Sequence, residues 1–152
     1  MAGYKGHLAG GAVAFAFALV FVTNRFSPTL ATTAEWLFFS LAGSLFPDID
    51  IKSKGQKYFY WFILLLLLSL SFRKRYDLFM GVSIISVFPM LVNHRGIFHR
   101  PWFVIGAPLL LWYLISLQFP GMRTIILLDT LFFIAGAVSH LWLDMGFRMF
   151  RL

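Results

Sequence analysis

Six apolar runs follow one another along the chain: Leu8–Val22, Leu30–Phe46, Tyr58–Phe72, Leu78–Val92, Trp102–Phe119 and Thr124–Leu143. Only short polar stretches separate them. A soluble domain of 152 residues has too little polar sequence left over to cover so many greasy segments. Composition agrees, since 12% of the residues are charged and 60% are hydrophobic, whereas soluble domains carry about a quarter charged residues. In hydrocarbon each backbone N–H and C=O must be satisfied within the protein, which leaves helices for runs of this kind. The expected fold is therefore all-α, a single integral-membrane domain over residues 1–152 with about six short transmembrane helices.

Several runs fall below the ~20 residues that comfortably cross a bilayer. Local thinning and snorkelling accommodate a short span, and each helix has room to extend a turn into its flank. The third run, "YFYWFILLLLLSLSF", has no polar stripe and is expected to face lipid. The first run holds Gly10, Gly11 and several alanines, and the last holds Gly136 and Ala137, a composition suited to close helix–helix approach. Neither the flanks of the first run nor the stretch after it resembles a cleavable leader, so it is expected to be a retained helix. Cysteine is absent, which excludes a disulfide framework and thiolate metal ligation.

Alternating crossings sort the polar segments onto two sides. The N-terminus, residues 47–57, residues 93–101 and the C-terminus share one side; residues 23–29, 73–77 and 120–123 share the other. All four histidines, His7, His94, His99 and His140, fall on the first side, together with Asp48, Asp50 and Asp144. Glu35, Asp77 and Asp129 lie toward the second. Polar residues scattered through the sequence are thereby gathered at one membrane face.

Each cluster has two readings when taken by itself. In "SHLWLD", His140 and Asp144 are four apart and share a helix face, as a chelating pair or as polar residues at an interfacial helix end. Ser139 hydrogen-bonds that pair or simply packs. In "LFPDID", Pro47 ends the helix and Asp48 and Asp50 stand two apart, around a divalent cation or in a solvated turn beside Lys52, Lys54 and Lys57. In "NHRGIFHRP", His94 and His99 are five apart across Gly96, a spacing that needs a loop to aim both rings. Arg95 and Arg100 either hold a phosphate there or rest at lipid head groups. His7 adds an imidazole at the start of the first helix. Together the imidazoles and carboxylates suffice for one or two divalent ions, with N/O ligation suited to Zn²⁺, Mn²⁺ or Fe. One carboxylate, Asp50, is placed to act as a general base instead of a ligand.

An early histidine, then "LFPDID", "HRGIFHRP" and "SHLWLD", in that order and across essentially the whole chain, resembles the YdjM-type family. Its members are described as LexA-binding, inner-membrane-associated, metal-dependent hydrolases, distantly like zinc-dependent phospholipases C. The resemblance implies a metal-dependent hydrolase-like domain. His7, Asp48, Asp50, His94, His99, His140 and Asp144 become metal and catalytic candidates, with Arg95 a phosphate contact. Two departures stand out. Ile51 occupies a position where the family often has histidine, and Phe98-His99-Arg100 stands where Thr-His-Ser is common.

The expected activity is hydrolysis of a phosphoester of a lipid or lipid-linked phosphate by metal-activated water. The net charge of +7 favours an anionic substrate at the membrane surface. Direct nucleic-acid binding is not expected, since no soluble basic face remains. Two other classes stay open, a metal-ion or proton transporter and a non-catalytic membrane protein with a structural metal. Against transport, Asp129 and Glu35 are the acids within spans, each near enough to the far side for snorkelling and solvent to serve it. Eight basic residues on the histidine side against five opposite make that side cytoplasmic, in an inner-membrane setting.

Overall fold

A computed structural model describes residues 3–49, 53–74, 76–91 and 97–146. Six α-helices make up the fold: α1 (Tyr4–Thr23), α2 (Leu30–Leu45), α3 (Lys54–Phe72), α4 (Tyr76–Leu91), α5 (Pro101–Gln118) and α6 (Arg123–Met145). No strand occurs among the described residues. Each apolar run of the sequence has become one helix; α1 and α3 each gain a turn at their N-terminal end, and the other bounds move by one or two residues. Thr29 caps α2 by accepting from the Thr32 N–H, and Ser53 caps α3 by accepting from Gln56. Pro101 opens α5 at a position where its missing N–H goes unneeded. Between α3 and α4, Lys74 takes a left-handed backbone (φ 55°), which ends one helix and turns the chain into the next.

Four of the helices are long and apolar enough to cross a membrane: α1, α3, α5, and α6 with the turn that precedes it. The two others, α2 and α4, have 16 residues each. At 1.5 Å per residue that is about 24 Å, short of the ~30 Å hydrocarbon core. A three-residue 3-10 turn, Phe46–Asp48, prolongs α2. Bulky apolar side chains point outward, among them Phe17 and Val20 on α1 and Trp61 and Leu65 on α3. α3 is largely exposed, with Gly55 its one buried residue.

The core is the packing of α1, α2 and α6. Where α2 crosses α6, the helix backbones touch. A methyl group at Gly136 would collide with the Ser40 carbonyl, and one at Gly43 with the Phe133 carbonyl. No other residue type fits those two positions without moving a helix. Beside this crossing the Ser40 hydroxyl donates to the Gly11 carbonyl of α1 at 2.9 Å. Toward the other end Trp36 stacks on Phe132, with centroids 4.9 Å apart.

The α3/α4 pair is packed differently. Its two helices lie against each other, with the Tyr60 hydroxyl donating to the Ser86 carbonyl at 3.1 Å. Toward the remaining helices, α3 touches chiefly the Phe46–Asp48 turn. Between this pair and α2, α5 and α6 runs an apolar cleft of about 670 Å³.

Candidate metal centre

Four segments deliver the polar side chains to one end of the bundle. His7 lies in the first turn of α1, Asp48 in the turn after α2, His99 in the 3-10 turn Ile97–His99 before α5, and His140 and Asp144 in the last turns of α6. The antiparallel order of the helices places all four segments at the same end. Glycine spacing refines the placement. Gly136 and His140 are one helical turn apart on one face, as are His7 and Gly11. The glycine of each pair admits close approach to α2, and the histidine one turn on is carried against the end of α2. Both rings are buried, at 1% (His7) and 0% (His140) exposure, and they stack 3.7 Å apart, 14° from parallel.

His140 Nδ1 lies 2.7 Å from the Ser44 carbonyl oxygen. A carbonyl only accepts, so Nδ1 carries the proton, and Nε2 of the neutral ring presents its lone pair. Facing that lone pair are Asp48 Oδ1 at 3.6 Å and Asp144 Oδ2 at 3.7 Å. Asp48 Oδ1 also stands 3.7 Å from His99 Nε2, and Asp144 Oδ1 stands 3.6 Å from His7 Nε2. Charge-assisted N–H···O bonds close to about 2.7–2.9 Å, so these separations are not hydrogen bonds. Among the described residues, His140 Nε2, Asp48 Oδ1 and His7 Nδ1 are buried with no hydrogen-bond partner. Buried lone pairs aimed at one another repel unless a cation lies between them.

The donor set fits a divalent cation. Donors about 2.1 Å from a common tetrahedral ion lie roughly 3.4 Å apart, close to the spacing here. Two triads have their ligand atoms mutually within 4.8 Å, one of His7, His140 and Asp144 and the other of Asp48, His99 and His140. They share His140, whose single free lone pair serves one ion. Asp144 turns one oxygen to each of His7 and His140, the disposition of a carboxylate able to bridge two ions. The Nδ1–H to carbonyl bond of His140 is the usual outer support of a metal-binding imidazole, fixing its tautomer and its aim.

A layer of aromatic rings lies beneath the donors. Phe46 meets Phe98 and Phe133 with centroids 5.5 and 5.2 Å away, and Phe98 meets Phe103 at 5.2 Å.

Of the seven metal candidates read from sequence, the structure brings together His7, Asp48, His99, His140 and Asp144. Asp50 and His94 lie outside the described residues, as does Arg95. Arg100 has an exposed side chain, and its carbonyl accepts the first N–H groups of α5, from Phe103 and Val104. Ser139 bonds within its own helix, to the Gly136 carbonyl at 2.7 Å, and not to the His140–Asp144 pair. One expectation is corrected. Glu35 is exposed, but Asp129 is not served by solvent: it is 7% exposed, on the wall of the cleft, and its Oδ1 is buried with no hydrogen-bond partner among the described residues. Sequence reasoning missed the Ser44 carbonyl, a backbone group that no residue type announces. The His7/Gly11 and Gly136/His140 spacings were the available signal for helix ends pressed against α2.

The profile of the YdjM inner membrane protein family matches residues 1–149. The chain belongs to that family. The YdjM profile takes in all four segments that carry the donors, and with the apolar helices it establishes an inner-membrane protein. Neither the curated proteins nor the solved structures yield a match.

Proposed function

We propose that this YdjM-family protein is a membrane-embedded, metal-dependent hydrolase that cleaves a phosphoester of a lipid or lipid-linked phosphate. One observation carries the reading. Five buried or half-buried N/O donors from four separate segments converge, and the proton of His140 is committed to Ser44, so that Nε2 faces two carboxylates. A structure stabilised by packing alone gains nothing from such an arrangement.

Asp48, His99 and His140 would hold the first ion, with Asp144 and His7 beside them and Asp50 and His94 the candidates to complete a second position. Zinc suits this ligand chemistry best, with manganese or iron as the other choices. A divalent ion supplies Lewis acidity toward water and toward a phosphoryl oxygen. The chain's own residues do the rest. The carboxylates hold the negative charge that retains the cation, and the Ser44 carbonyl keeps the His140 ring aimed. Asp50 is the candidate base toward water, and Arg95 and Arg100 the candidate partners of the phosphate. The basic residues of this face support a cytoplasmic orientation of the site.

Metal analysis of detergent-purified protein, followed by phosphate release from phosphatidic acid and lipid pyrophosphates, tests the proposal. Wild type should carry a stoichiometric transition metal and release phosphate, and Asp48→Asn should lose both. Purified wild type that takes up no transition metal would overturn it. A second reading, ion or proton transport, draws on buried Asp129 on the wall of the cleft. Flux into liposomes that Asp129→Leu abolishes, without hydrolysis, would favour transport. A purely structural metal would leave His99→Ala less stable, with no activity to lose.

A further inference from the structure

The cleft between the α3/α4 pair and the rest of the bundle plays no part in holding a metal. Its wall is hydrocarbon and aromatic along most of its length. On α5 it extends from Phe103 to Ile115, twelve residues apart, which at 1.5 Å per residue is about 18 Å, or slightly more than one ~15 Å leaflet. Its 670 Å³ lies within the range of roughly 300–1,000 Å³ over which proteins take up small molecules. The upper end is walled by Phe46, Ile49 and Phe98. Ile49 follows Asp48 in the chain and Phe98 precedes His99, so the cleft begins one residue from two of the metal donors. Lys54 and Lys57 at the start of α3 and Arg100 at the start of α5 are exposed at this same end, opposite in charge to an anionic head group.

We propose that this cleft is an acyl-chain subsite, which takes one hydrocarbon chain of an anionic bilayer lipid from the leaflet on the donor side and leaves the head group beside Asp48 and His99. The proposal deepens the hydrolase reading by naming the substrate's other half: an amphiphile still seated in the membrane, not a water-soluble phosphoester. Access is lateral. The α3/α4 pair holds to itself more than to its neighbours, and its outer face is exposed and apolar. A chain entering beside it exchanges lipid contacts for contacts with Leu66, Val82, Leu111 and Ile115. The aromatic layer then separates the chain from the polar donors, and only the head group lies above it.

Photolabelling tests this without reference to turnover. Full-length protein is reconstituted in vesicles of phosphatidylethanolamine and phosphatidylglycerol, the latter carrying a diazirine midway along one acyl chain, and the adducts are mapped by peptide mass spectrometry. Wild type should concentrate adducts on the cleft positions of α3 and α5 relative to the outward Phe17 and Val20. Ala107→Trp, which fills the cleft from α5, should lower the cleft adducts at least severalfold and leave those on α1 unchanged. Ile63→Trp fills it from α3 and serves if the first variant does not fold. Adducts spread evenly over cleft and outer face, or unchanged in both filled variants, would overturn the proposal. Metal content is measured on the same samples. Cleft labelling in a protein that binds no metal would sink the hydrolase reading and leave the chain subsite standing; metal without cleft labelling would do the reverse.

Discussion

His140 donates from Nδ1 to the carbonyl of Ser44 across the α2–α6 contact, at 2.7 Å. The bond joins the tautomer of a ring to the crossing of two helices, so changes in either should be felt by the other. In ¹⁵N-labelled protein with zinc added, His140 should show a protonated Nδ1 and a metal-shifted Nε2. A protonated Nε2 in the zinc-loaded protein contradicts the assignment.

Gly136→Ala tests the crossing itself. Its new methyl group meets the Ser40 carbonyl, so α6 must move. Overpacking of this kind costs about 1–3 kcal/mol, read as a lower midpoint of thermal unfolding in detergent. Metal affinity should fall as well, because His140 and Asp144 ride on the displaced helix. Gly81→Ala, at a position open to its surroundings, should do neither.

Removal of donors is expected to be more severe than loss of their supports. Outer-shell changes typically weaken metal binding roughly 10–100-fold. Asp48→Asn and His140→Ala should each exceed that in competition with a chromophoric chelator. Metal removal should also lower the unfolding midpoint, with recovery on adding zinc back, because a ligand at a hundred times its Kd stabilises by about 2.7 kcal/mol. Both effects should weaken in acid, where imidazole must lose a proton before it can bind. Unchanged zinc affinity in both variants places the metal, if there is one, elsewhere.

Asp129→Leu has the opposite expected sign. A buried polar atom without a partner costs about 1–3 kcal/mol, and an apolar side chain of similar size removes that cost. The variant should unfold at a higher temperature with metal content unaltered. A lower midpoint would reveal a partner for the carboxyl.

Sidedness can be read directly, since the natural chain has no cysteine. Single cysteines at Lys5 and Arg100 should react with an impermeant maleimide from one compartment, and those at Asn24 and Gly121 from the other. The orientation proposed above makes the first compartment the cytoplasm. Labelling of positions 5 and 100 from opposite compartments would break the antiparallel order that assembles the donors.

Much of this was legible in sequence because bilayer physics leaves few choices. Six apolar runs dictate six helices, and alternation dictates that His7, Asp48, His99 and His140 meet at one face. The ends of the helices were less legible, since runs such as Tyr58–Phe72 continue into polar residues that still suit a helix, here from Lys54. Three features were hidden for a physical reason. The Ser44 carbonyl is backbone and has no letter of its own. The Gly43–Phe133 and Ser40–Gly136 contacts pair residues 90 and 96 positions apart, so the small residues were visible but not their partners. Asp129 lies on an interior wall because of how α3 and α4 stand away from the bundle, which no periodicity within α6 encodes.

The rings of Phe46, Phe98, Phe103 and Phe133 have a kinetic corollary. On the proposed hydrolase reading they would act as a greasy diaphragm, with water reaching the donors from the aqueous face and a lipid tail arriving from below and to the side. The two reactants of a hydrolysis would then never compete for one doorway, and turnover should depend on how fast lipids change places in the leaflet more than on how wide the polar mouth is.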